Sequence, residues 1–142
     1  MFAATDRFVA VIRASVAAER TPRARLHAAI AAGVTGGLDG DDSRILYEFW
    51  PAGLRDEAMN DADHALDRLQ VGIYREIIDA GVAAGEFHPH IDADDLGLAL
   101  VALEDGLVMD ILAGTATPAH VIGVVTSVAE SLLGIDGGAT SA

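Results

Sequence analysis

Residues 92–112 read DADDLGLALVALEDGLVMDIL, and residues 118–135 read PAHVIGVVTSVAESLLGI. Leu96, Leu100, Leu103, Leu107 and Ile111 recur along one side of the first segment at helical spacing, ~100° per residue. Leu98, Ala102, Asp105, Met109 and Leu112 form a second stripe on roughly the opposite side. A helix that is apolar on two sides has to be covered on two sides. The second segment carries a single formal charge, Glu130. Val121, Val124, Val125, Val128, Leu132 and Ile135 make a broad apolar arc there, with Ile122, Ala129 and Leu133 widening it. Opposite lie Gly123, Ser127, Ser131 and Gly134, small enough to admit another backbone. A chain of this size covers one face of each helix, so the pattern predicts that a second copy covers the other. The residues expected at that contact are Leu98, Ala102, Asp105 and Met109 on one helix, and Val121, Val125, Val128 and Leu132 on the other.

Outward from this pair, every connector reads as a helix boundary. Thr5 is a candidate cap for a first helix running to about Glu19, with Phe8, Ile12, Ser15 and Val16 on one face. Thr21-Pro22 starts a second, with Leu26, Ile30, Gly33 and Val34 inward. After the turn-rich Gly36 to Asp42, a third helix is expected from Ser43, kinked or broken at Pro51, which removes a donor and crowds the Tyr47 carbonyl. A long fourth helix should begin at Asp61 or Asp63, bury Ala62, Leu66, Leu69, Ile73, Ile77, Ala80 and Ala84, and end at Gly85 in a left-handed cap. Glu86 to Ile91 is an extended connector, Asp92 to Asp95 caps the fifth helix, and Thr117-Pro118 repeats the start signal for the sixth. The fold class is all-α: one domain over residues 1–142, about six helices and no strand pattern.

Composition narrows the function. The chain is 51% apolar, which excludes a disordered chain, and its longest apolar run is far short of the ~20 residues that span a bilayer. It has no cysteine, so neither disulfides nor a thiolate zinc site enter, and Met1-Phe2-Ala3-Ala4 lacks the basic-then-apolar order of a secretory signal. A cytoplasmic protein is expected. Net charge is −13, unevenly spread: residues 1–75 hold all nine arginines and a net of −2, whereas residues 76–142 hold no basic residue and a net of −11. Nucleic acid affinity rests on neutralising phosphates, so this chain itself is expected to make no nucleic acid contact. The first 35 residues are locally basic, at +3.

Catalytic motifs find no foothold. The glycines between Gly33 and Gly40 lack the Lys-Ser/Thr of a phosphate loop, and Asp61-x-x-His64 stands alone where a di-iron bundle needs repeated Glu-x-x-His elements. His88 and His90 near Asp92, Asp94 and Asp95 read as a solvated loop and cap, not as converging metal ligands. No enzyme activity, metal or cofactor is therefore expected. Tyr47, Trp50 and Leu54 belong to a short stretch holding three of the seven aromatics; they are either plain core or the wall of a pocket, where an apolar body with a polar tip orients small molecules. His27 lies beside the Leu26 stripe and could point inward. Asp105, a carboxylate within an apolar stripe, needs a partner across a subunit interface, a trapped water or a cationic ligand.

Three segments together resemble a known family. They are Ile45-Leu46-Tyr47-Glu48-Phe49-Trp50 with Leu54-Arg55-Asp56; Tyr74-Arg75-Glu76-Ile77-Ile78 leading into Gly81-x-x-x-Gly85-Glu86-Phe87; and Asp92 followed by Leu100 to Leu107. In this order they resemble the C-terminal ligand-binding and dimerisation domain of TetR-like (tetracycline-repressor-like) transcriptional regulators, nearest the subgroup of the choline-responsive betaine-pathway repressor. The resemblance covers nearly the whole chain. It implies a homodimer whose last two helices pair with their twins as a four-helix bundle, and a small-molecule effector held among the earlier helices. Candidate effector contacts are Phe8 and Ile12, His27, Tyr47, Trp50 and Leu54, and Tyr74. It also implies a preceding helix-turn-helix module, absent here, with Met1-Phe2 resembling the start of the first helix after it; the module is either cut away or naturally missing. Pro51 departs from the small residue usual after the tryptophan. The rival reading is a stand-alone dimeric helical interaction module that senses nothing.

Overall fold

The computed structural model describes residues 2–36 and 56–135. Within them the chain is all-helical, with five helices: α1 (Phe2–Ala17), α2 (Pro22–Gly36), α3 (Glu57–Ala83), α4 (Ala93–Leu112) and α5 (Pro118–Leu132). The expected third helix falls largely on residues 37–55, outside the described residues.

Local chemistry sets most boundaries. The Thr21 hydroxyl accepts the Ala24 N–H at 3.1 Å, and Pro22 opens α2. The Asp92 carboxylate accepts the N–H groups of Asp94 and Asp95 at 3.1 and 3.4 Å, and Thr117 accepts that of His120 at 3.2 Å. Two starts differ from expectation. Helix α1 already runs from Phe2, so Thr5 lies inside it rather than capping it, and it stops at Ala17. Helix α3 starts at Glu57, a turn before Asp61, because Asp56 supplies the cap: its Oδ1 accepts the Ala58 N–H at 3.0 Å.

The end of α3 explains the Gly81-x-x-x-Gly85-Glu86-Phe87 spacing. Gly85 adopts φ +74°, which turns the chain back so that the Glu86 and Phe87 N–H groups both reach the Gly81 carbonyl, at 2.9 and 3.1 Å. The Phe87 ring then lies over Gly81, where a Cβ would overlap it, and is fully buried. The connector continues beneath the end of α5, with the His88 N–H donating to the Leu133 carbonyl at 2.7 Å.

Helix α2 is the centre of the domain and packs against all four other helices. Leu26, Ala29, Ile30, Ala32, Gly33 and Val34 are all buried, so it is covered around most of its circumference. Alanines and a glycine allow that crowding, because small side chains let neighbouring backbones approach. On α3 the buried row is Gln70, Ile73, Tyr74, Ile77, Ile78 and Gly81; Leu69, expected inside, is 44% exposed, and Ala84 is also exposed. On α4 the buried residues are Leu96, Gly97, Leu100, Val101, Glu104 and Val108, whereas Leu103, Leu107 and Ile111 are only partly covered. Among the described residues no helix is long and apolar enough to cross a membrane.

Candidate functional site

The chemistry of the interior concentrates where α2, α3 and α4 meet. Leu96, Leu100, Glu104 and Val108 follow each other every four residues along the buried row of α4, and this spacing carries a carboxylate into the core. Glu104 is 3% exposed and accepts a hydrogen bond from the Tyr74 hydroxyl, itself on a side chain 3% exposed. Across from them, Gly33 of α2 makes the room: a Cβ there would stand 2.8 Å from Glu104 Oε2. Burial pushes the Glu104 carboxyl from 4.5 up to about 8, with the Tyr74 hydrogen bond pulling the other way and the Asp105 charge adding to the rise. Glu104 is therefore mostly protonated at neutral pH. Burial also lifts the Tyr74 hydroxyl well above its ordinary value, reinforced by Glu104 and Asp105 when these are charged. The result is a neutral hydrogen-bonded pair between α3 and α4, seated against Gly33 of α2.

The sequence pattern points to Asp105, whereas the structure buries Glu104. Asp105 is half-buried and stands one position round the helix, on the side that carries Leu98, Ala102 and Met109. The signal for Glu104 is its four-residue spacing from Leu96 through Leu100, which competes with the longer leucine row through Leu103 and Leu107.

The candidate effector contacts are divided by the structure. Ile12 and Tyr74 belong to one buried cluster, and Phe8 packs against its edge near Gly36. His27 faces elsewhere, at the seam of α2 and α5, where its Nε2 lies 2.6 Å from Glu130 Oε1. Arg23 Nε donates to the same oxygen at 2.9 Å. Burial works against the Glu130 charge, but hydrogen bonds from Arg23 and His27, and the charges of both, outweigh it and hold the carboxyl below its ordinary value. Tyr47, Trp50 and Leu54 lie outside the described residues. Among the described residues, no three His, Cys, Asp or Glu side chains gather where a metal ion could sit.

The outer face of α4 and α5 is the second feature. Leu98 is 54% exposed and Met109 45%, in line with exposed Ala102 along α4. On α5 the expected set needs correcting. Val121 and Val125 are fully buried in the protomer's own core, in a row with Ala129 and Leu133, and have no surface left for a partner. The outward row is Val124, Val128 and Leu132, displaced ~60° round the helix, since three steps of ~100° fall short of a full turn. Val128 is 38% exposed, and Val124 and Leu132 are half-buried.

The aspartate-capped entry to α4, the two apolar stripes along α4 and the Thr-Pro start of α5 all stand where the residue pattern places them. The C-terminal family described as "BetI-type transcriptional repressor, C-terminal" matches residues 22–134. The chain belongs to this family. Structural likeness agrees with it. A bacterial regulatory protein of the TetR family from Rhodococcus RHA1 superposes with a TM-score of 0.75 at 21% identity, over 93% of this chain and 69% of its own. A TetR-family transcriptional regulator from a Rhodococcus species gives 0.77 at 17% identity, over 92% and 72%. At these identities the likeness is one of fold. No curated protein matches the chain in sequence. The family match thus gives this chain its membership, and the two structures share its helical fold.

Proposed function

We propose that this domain is the effector-sensing and dimerisation half of a TetR-like repressor, non-catalytic, cofactor-free and cytoplasmic, reaching DNA only through a helix-turn-helix module outside this chain. The observation that carries the reading is the row of large apolar side chains left in solvent on the last two helices: Leu98, Met109 and Val128. Leu98, Ala102, Asp105 and Met109 of α4, with Val124, Val128 and Leu132 of α5, meet their counterparts in a second copy. Exposed apolar patches of this kind mark interaction sites, and an obligate interface covers ~2,000 Å² or more.

The test compares two neighbouring valines. Val128→Asp is expected to give a folded monomer by sedimentation, because its charge falls on the outer face and defeats association. Val125→Asp is expected to give a destabilised or insoluble chain, because its charge falls in the core. A Val128→Asp protein that remains dimeric refutes the interface.

The effector site is proposed at Phe8, Ile12 and Tyr74 together with Tyr47, Trp50 and Leu54. Trp50 is the sole tryptophan, so a panel of apolar and aromatic compounds is expected to include one that quenches its fluorescence and raises the melting temperature. A domain that dimerises and responds to none of them is an interaction module instead.

A further inference from the structure

A separate cleft of about 370 Å³ opens at the surface where α1, α2 and α3 meet. Its floor is apolar. Ile73 and Ile77 of α3 reach it from the core, each 3% exposed, and Val16 and Ala17 of α1 close one side. Its rim is charged, with Arg13 of α1, Arg25 of α2 and Glu76 of α3. Arg25 is held in place by its Nε, which donates to the Glu19 carbonyl at 3.0 Å. Arg13 meets Glu76 at 3.5 Å, with side chains 49% and 69% exposed, a long pair in water that an incoming carboxylate readily displaces.

We propose that this cleft binds a small amphipathic carboxylate, its anionic end between Arg13 and Arg25 and its apolar body along Val16, Ile73 and Ile77. Two features of the site select this chemistry. Guanidinium groups pair with planar carboxylates through two parallel hydrogen bonds, and the apolar floor rewards a ligand with a hydrocarbon body. The volume lies in the range of small-molecule pockets. The surrounding charge sharpens the preference: the chain carries −13 overall, yet its first 35 residues carry +3, so this basic region is where an anion is drawn. Among the described residues the cleft's lining includes none of the proposed effector contacts, and it lies away from the outer face of α4 and α5, so its test is separate from that of the proposed function.

The experiment titrates octanoate into the intact protein by calorimetry and methyl NMR, with 1-octanol and acetate as controls. Octanoate is expected to saturate one site per chain, at least tenfold tighter than either control, and to shift the methyl signals of Val16, Ile73 and Ile77. Arg13→Gln and Arg25→Gln, verified as folded by circular dichroism, are each expected to weaken octanoate about tenfold and leave octanol unchanged. Octanol binding as tightly as octanoate, acetate binding as tightly as octanoate, full octanoate affinity in the Arg13→Gln/Arg25→Gln double variant, or methyl shifts at Ile12 in place of Val16, Ile73 and Ile77 would each overturn the proposal. So would a failure of octanoate to saturate.

Discussion

Replacing Glu104 by glutamine isolates the buried proton. The amide keeps the side chain's shape and can still accept from the Tyr74 hydroxyl, but it cannot ionise. In the wild type, the unfolded carboxyl loses its proton near 4.5 while the folded one holds it to about 8. The folded state thus binds more protons across this window, and stability falls as pH rises through it. Below the lower value the contribution is fully present; above the upper value the loss is complete and the curve is flat. At ~1.4 kcal/mol per pH unit, the loss between pH 5 and pH 8 is about 4 kcal/mol, a large share of the ~5–15 kcal/mol that holds a domain together. Urea unfolding followed by circular dichroism, at one fixed protein concentration, reads this directly. With a slope of ~2 kcal/mol per molar urea, the wild-type midpoint should fall by ~2 M relative to Glu104→Gln over that interval. Every other titrating group is common to both proteins and cancels in the difference. Parallel midpoint curves for the two proteins would refute the buried, protonated carboxyl. So would a Glu104→Gln midpoint lying below wild type by a constant margin.

Other consequences are simpler to read. Gly81→Ala sets a methyl against the fully buried Phe87 ring, and thermal unfolding should show a loss of ~1–3 kcal/mol as ring or helix end shifts. Thr117→Ala removes the side-chain oxygen that accepts the His120 N–H at the start of α5, and should cost ~1 kcal/mol in the same measurement without altering oligomeric state.

Most features set within one turn of chain were legible from sequence; Thr5 and Asp61, chemically good caps, instead fall inside helices that start earlier. Thr21-Pro22, Gly85, Asp92 and Thr117-Pro118 act on their own neighbours, so their roles as helix starts and stops follow from chemistry alone. Rotation about a helix axis was not legible. Asp105 and Glu104 differ by one residue, or ~100°, and that step decides which carboxylate enters the core. Val125 and Val128 are equally apolar, and only the packing of α5 against α2 tells which is left exposed. Leu69 is exposed although Ile73 and Ile77, four and eight residues on in the same stripe, are buried. Pairings across the fold were further out of reach. Tyr74 and Glu104 stand thirty residues apart, and Arg13, Arg25 and Glu76 converge on one cleft from three helices. The ordered family motifs compensated in part, since they carry the result of that packing without revealing its geometry.

The central position of α2 has a consequence for how the domain transmits movement and accepts mutation. Half of its buried positions, Ala29, Ala32 and Gly33, have no rotamers to rearrange, so a displacement of α1 on one flank meets reduced side-chain slack before it reaches α5 on the other. The same crowding sets a ceiling on volume. Enlarging Ala29, Ala32 or Gly33 pushes on several neighbours at once, so in a saturation screen the intolerant positions should bunch on this one helix while the longer α3 accepts substitutions along its outer side.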